Sequence, residues 1–331
     1  MNAFISRVTA RRSGALGVIG GSAIMGPLAA LVLAIVVFAT QSDKFLSGSN
    51  FSLILQQVMV VGTLAIGQTL IILTAGIDLS CSWIMALSTV MMTGLTMRSG
   101  MDPVVAIVVG LLVGMAFGLL NGWLVTAIRL PPFIVTLGTF SIATALVHIY
   151  TSETINRLPG VQTYLGNTFT IAGTDITYGS VVMLILYVIV WYVLRSTAAG
   201  RAVYAVGDNP EAARLAGINT NRVLMGVYAV AGLFYAIAGL LLVARTGVGD
   251  PNSGGAGTQD NLAAITAVVL GGTSLFGGRG LIFGTLIGAL IVGVFRNGLQ
   301  LMGVESNYQV LITGVLVILA VSVDALSHRS K

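Results

Sequence analysis

Runs of about 20 consecutive apolar residues recur along this chain, and they constrain its fold more than any motif does. They lie at 22–40, 52–74, 103–126, 132–151, 178–194, 223–244, 280–301 and 308–325. A helix crossing the hydrocarbon core of a bilayer needs roughly 20 such residues. Two weaker runs, 80–97 and 260–275, are short or broken and read as discontinuous or tilted segments. The expectation is an all-α, polytopic transmembrane protein of about ten helices. Composition agrees, because only 8% of residues are charged, against about 25% in a soluble domain. Glycine supplies 42 of 331 residues, which suits close helix packing and interrupted helices in a bilayer.

The basic residues test the helix count. With the N-terminus inside and ten alternating segments, eleven of the sixteen fall inside: Arg7, Arg11, Arg12, Arg129, Arg195, Arg201, Arg214, Arg222, Arg279, Arg329 and Lys331. Such an excess marks the cytoplasmic side. Removing one segment would put 195–222 and the N-terminus on opposite sides, so an even number is expected, with both termini cytoplasmic. The net charge of +5 therefore reflects topology, and no nucleic-acid partner is expected. The N-terminal arginines and the apolar run after them also fit a signal peptide. A first membrane helix is preferred, because 22–40 is longer than a typical signal core and lacks a small-residue cleavage site. We expect one transmembrane domain over 1–331, with a cytoplasmic tail 1–20 and a cytoplasmic loop 195–222. Four spans on each side of that loop, each group with one weak segment, suggest inverted repeats.

The loop 195–222, which closes with VGDNPEAARLAGINTNR, is the one long polar interruption. Asn209 before Pro210 fits an N-cap followed by the first helical position. Glu211 in the first turn suits the positive end of the helix, and Gly217 can end it. A two-turn helix over 210–216 is predicted; the same residues also fit an ordinary polar loop.

Four stretches resemble a known family. They are 200–219 within this loop, with AVGDNPEAARLAGIN as its larger part, ILTAGIDLS at 72–80, LPPFIVTLGTFSIATAL at 130–146 and AVVLGGTSLFGGRG at 267–280. The last is followed by GTLIGALIVGVFRNGLQLMGV at 284–304. These stretches are similar to permease subunits of bacterial ABC sugar importers of the ribose, xylose, arabinose and fructose group. The similarity covers most of the chain from about residue 50 onward and does not single out a sugar. It implies a type II permease fold like that of the vitamin B12 importer, in the bacterial inner membrane. It also implies cytoplasmic ABC ATPase subunits, a second permease (a copy or a paralogue), a periplasmic sugar-binding protein and surrounding lipid as partners. The polar loop would be the coupling loop, in which Asp208, Glu211 and Arg214 fix orientation. Ala212, Ala213 and Leu215 would fill a groove of the ATPase, framed by Asn209, Pro210 and Gly217.

The chain cannot hydrolyse ATP alone. Its two lysines, Lys44 and Lys331, follow no phosphate-binding glycine loop. One cysteine and two histidines exclude a disulfide and a zinc site, and no cofactor or nucleophile–base set is visible. Polar residues inside the spans are uncharged in the main, as a neutral solute would require. Gln68, Asn121, Thr136, Thr139, Phe140, Asn261 and Thr266 could hydrogen-bond or stack against passing sugar, or could join helices to one another. Phe133 to Phe140 is the preferred lining, because that segment resembles a pore-lining helix of the family. Asp78 fits a helix cap at the inner interface, His148 a packed histidine, and Arg296 a side chain snorkelling to the headgroups. The rival function is a secondary transporter or channel without an ATPase. It would place acidic or basic residues along a path, and they are scarce here.

Overall fold

The computed structural model describes residues 24–171, 173–255 and 260–329, so the expected tail 1–20 lies outside the described residues. Ten helices match the ten predicted segments: α1 (Ile24–Gln41), α2 (Gly48–Leu73), α3 (Cys81–Ser99), α4 (Pro103–Ala127), α5 (Pro132–Tyr150), α7 (Tyr178–Ser196), α10 (Thr220–Thr246), α11 (Asp260–Leu270), α12 (Ile282–Leu301) and α13 (Ser306–Arg329). Between α5 and α7 lie the short helix α6 (Gly160–Thr163), a 3-10 turn and a hairpin of β1 (Thr168–Ile171) and β2 (Thr174–Thr177). Between α7 and α10 lie α8 (Ala198–Asp208) and α9 (Pro210–Leu215). Among the described residues, seven helices are long and apolar enough to cross a membrane.

The two segments that read as weak differ in kind. Helix α3 is full length, and its polarity is internal: Ser82, Ser88, Thr89 and Thr93 are all buried. Helix α11 has 11 residues and ends at a Gly-Gly turn, with Gly272 at φ +81°. Helices α2 and α10 form the centre of the bundle, whereas α4 and α5 leave most of their apolar surface uncovered. Such surface is disfavoured in water and stable against lipid or another apolar subunit.

One close crossing in the bundle follows from glycine spacing. Gly110, Gly114, Gly118 and Gly122 recur every four residues on α4 and so share one face. A Cβ on Gly118 would sit 2.1 Å from Tyr228 O, and one on Gly232 would sit 2.2 Å from Gly114 O. Helices α4 and α10 therefore touch backbone to backbone, the packing that small residues allow in membranes. The start of α4 is capped as its sequence suggests. Asp102 accepts from Val104 N at 2.9 Å and Val105 N at 3.2 Å, ahead of Pro103.

Candidate functional site

The polar stretch after α7 folds into two helices. Thr197 ends α7 and starts α8, its hydroxyl donating to Val193 O at 2.7 Å and accepting from Gly200 N at 3.2 Å. Asn209 then stands extended at φ −154° and caps α9, with Oδ1 accepting from Glu211 N and Ala212 N, each at 3.0 Å. Glu211 lies in the first turn and Arg214 in the last, the charge order that suits a helix dipole. Gly217, at φ +85°, takes the left-handed position beyond the helix end. The predicted two-turn helix is thus present, ending at Leu215.

Its faces correct one expectation. Ala213, expected in a partner's groove, is buried within this subunit. Ala212 stays exposed, and Leu215 is 91% exposed. A leucine held that far out on a capped helix, with Asp208, Glu211 and Arg214 exposed beside it, presents an apolar tip ringed by charge. Sequence reasoning misses the part played by Ile218. Its N–H returns to Ala213 O at 3.0 Å and closes the turn beyond the helix.

Helix α8 is anchored from beneath. Val203 and Val206 are buried, and the Tyr204 hydroxyl donates to Gly280 O at 2.9 Å. Burial raises the Tyr204 pKa, keeping that hydroxyl protonated as a donor. At the end of α8, a Cβ on Gly207 would lie 1.8 Å from Leu73 O and 2.7 Å from Gly278 N. Gly278 N also donates to Leu73 O at 2.9 Å. The last residue of α2, the end of α8 and the 277–280 turn therefore meet main chain to main chain. Gly277 and Gly278 hold φ of +83° and +68° there, a backbone that favours glycine.

Residues 74–80, immediately after Leu73, break the path from α2 to α3, and Ala75 holds φ +61°. Four predicted path residues converge on this break from four helices. The Gln68 side-chain amide donates to Asp78 O, and Thr136 Oγ1 donates to Ile77 O at 3.1 Å. Asn121 Nδ2 donates to Ser80 Oγ at 3.1 Å. Asn261 Nδ2 donates to Leu79 O at 2.7 Å, and its Oδ1 accepts from Cys81 Sγ at 3.1 Å. Their sequence signal is only that of polar groups in spans; their shared target, one irregular segment, carries no local signal. Asp78 departs from the interface cap that its sequence suggests. It does accept from Ser80 N at 2.7 Å and Ser80 Oγ at 2.5 Å, but it is 1% exposed and lies inside the bundle.

The other lining candidates are placed apart. Thr139 is buried and donates to Val135 O of its own helix at 3.2 Å. Phe140 meets Trp83 edge to face at 6.1 Å, while Phe133 is exposed. Thr266 is buried against Leu262 O at 2.6 Å. His148 lies 5.5 Å from Trp83 with Nδ1 at 3.0 Å from Thr144 O, hydrogen-bonded as expected but exposed rather than packed inside.

On the face opposite α8–α9, Arg296 departs from the snorkelling expectation. It forms an ion pair at 3.2 Å with the buried Asp260. Arg245 joins them at a cavity of about 150 Å³ together with Thr246, Asp250 and Ser253. Asp260 has no sequence signal of its own, since its partner lies 36 residues away.

The model of a family described as "Branched-chain amino acid transport system / permease component" matches residues 50–321. The chain is 48% identical to a fructose import permease of Rhizobium meliloti, over 90% of this chain and 84% of that one. It is 41% identical to a ribose import permease of Bacillus subtilis, over 91% and 92% of the two. A D-allose transport system permease of Escherichia coli is 35% identical, over 90% of each chain. No solved structure matches significantly.

Proposed function

This chain belongs to the branched-chain amino acid transport system / permease component family, and on that premise we propose that it is the membrane-spanning subunit of an ATP-driven importer of a monosaccharide. The observation that carries the cargo class is the identity of 48% and 41% over nine-tenths of the chain to fructose and ribose import permeases. The family description speaks of amino acids, but these full-length relatives are far more specific than a family label. The permease is not itself the ATPase, and its place is a bacterial inner membrane.

The finer reading concerns partners and path. Cytoplasmic ABC ATPases dock on α9, where Leu215 projects as the apolar anchor and Asp208, Glu211 and Arg214 set orientation. Short exposed helices seat in grooves through such anchors. Two permeases, copies or paralogues, pair in the membrane, and a periplasmic sugar-binding protein delivers solute to the face that carries Arg245, Asp260 and Arg296. Alternating access follows: ATPase closure moves α8–α9, and the 74–80 break passes the movement to α4, α5 and α11. Phe133, Thr136, Thr139 and Phe140 on α5, with Gln68, Asn121 and Asn261, stand along or behind the path.

The test is uptake by cells lacking their own importers and expressing this permease with its ATPase and binding protein. Labelled fructose, ribose, allose and leucine are offered in turn. Saturable, ATP-dependent uptake of one sugar and none of leucine is expected. Uptake of leucine alone, or sugar uptake that persists with an ATPase unable to hydrolyse ATP, would contradict the reading; the second result would favour a secondary transporter.

A further inference from the structure

Asp78 is a carboxylate buried in an apolar bundle without a counter-charge. The ion pair among the described residues is Arg296–Asp260, on the opposite face. Isolating a carboxylate from water costs far more than a fold can tolerate unless the charge is paired or neutralised. Ser80 accounts for one carboxylate oxygen, Oδ1, through its N–H and hydroxyl. The second, Oδ2, has no hydrogen-bond partner.

It is not alone in this. Gln68 Oε1, Asn121 Oδ1 and Tyr228 OH are also buried without a hydrogen-bond partner. All belong to side chains at the same break. Gln68 and Asn121 are tied to Asp78 O and Ser80 Oγ through their amide nitrogens, which leaves their oxygens free. The Tyr228 hydroxyl stands over Gly76, 3.0 Å from where a Cβ would be. The Tyr235 hydroxyl and the Asn121 amide reach the Asp78 carboxylate as hydrogen-bond donors. Unpartnered buried polar atoms are rare in native proteins, and a cluster of them points to a bound water or ion.

We propose that this cluster holds one dehydrated monovalent alkali cation, Na+ or K+, bound by Asp78 Oδ2, Gln68 Oε1, Asn121 Oδ1 and the two tyrosine hydroxyl oxygens. Every unpartnered atom in the set is an oxygen able to accept, and one carboxylate gives the set a single negative charge. A single positive charge balances it. A divalent ion would want more carboxylates, and no group of three acidic, His or Cys side chains occurs among the described residues. A proton on Oδ2 would cancel the charge but leave the two amide oxygens unsatisfied. Waters would satisfy the amides but leave the charge. A proton and water together would meet both demands; a single alkali cation meets them alone, and breaks in membrane helices are where such ions are held. The ion pins the break that joins α2 to α3.

The test uses the purified full-length permease in nanodiscs, washed into N-methylglucamine chloride. Thermal unfolding is followed in NaCl, KCl and N-methylglucamine chloride at equal ionic strength, with retention of 22Na+ and 86Rb+ measured in parallel. A saturable rise in Tm with one alkali cation is expected, as for any ligand that binds the folded state, with retention of the matching isotope. Asp78→Asn abolishes both. Tyr235→Phe, which changes no charge and covers the case that Asp78→Asn fails to fold, raises the half-saturating concentration by about tenfold. Identical curves in all three salts with no isotope retained would overturn the proposal and leave Asp78 protonated. Transport is not read in this experiment, so its failure leaves the importer reading untouched.

Discussion

Single residues divide α9 into an inner and an outer side. Asn209 holds the helix by two hydrogen bonds, Ala213 faces inward, and Leu215 projects. Losing an Asn cap costs about 1 kcal/mol, and burying a leucine contributes about 1.5–3 kcal/mol. Leu215→Asp is therefore expected to weaken capture of the partner ATPase at least tenfold, at about 1.4 kcal/mol per tenfold. Asn209→Ala weakens it by a smaller factor. Pull-down from detergent extracts measures both, and unchanged capture by Leu215→Asp would remove α9 from the contact. Ala213→Glu is a poorer probe, because it inserts a charge into this subunit's own packing and confounds docking with folding.

At the level of elements, local rules carried far and then stopped. The spans, the α9 caps and the Asp102–Pro103 start of α4 were legible, because each depends on neighbours within a few residues. The α4–α10 crossing was legible only as an excess of glycine. Its partner residues lie more than a hundred positions away, so the face could not be assigned. Separations of 10 to 182 positions hid the meeting of Gln68, Asn121, Thr136 and Asn261 at the break, and one of 36 hid the Arg296–Asp260 pair. The junction of α8 with α2 permits a sharp test. Gly207→Ala places a methyl 1.8 Å from Leu73 O, which neither backbone can accommodate without moving. The expected phenotype is a permease that inserts and still captures its ATPase, with sugar uptake reduced about tenfold or more while ATP hydrolysis continues. Normal uptake by Gly207→Ala would show that the junction does not transmit movement.

For the whole molecule, orientation is the first quantity to measure. The α8–α9 face holds Arg129, Arg195, Arg201, Arg214, Arg222 and Arg279, whereas the far face holds Lys44, Arg98, Arg157, Arg245 and Arg296. That bias predicts α9 on the cytoplasmic side. Cys81 is buried, so single exposed cysteines can be added to the native chain. Glu153→Cys is expected to react with an impermeant maleimide on whole cells, and Glu211→Cys only after lysis. The reverse pattern would invert the map.

The junction at Leu73, Gly207 and Gly278 is closed by main-chain contacts, with only the Cβ atoms of Ala75 and Asp208 lying against Gly277 and Gly278. A joint of that kind contains no side chain that could be tuned to a cargo. Mutations that alter solute preference can accumulate elsewhere in the bundle while the joint keeps its shape. On the proposed coupling role, the moving part and the selecting part are thereby free to evolve separately. One motor design can serve chains that carry different cargoes, and a loop such as 195–222 should be exchangeable between them as a cassette, provided the glycine at its buried end travels with it.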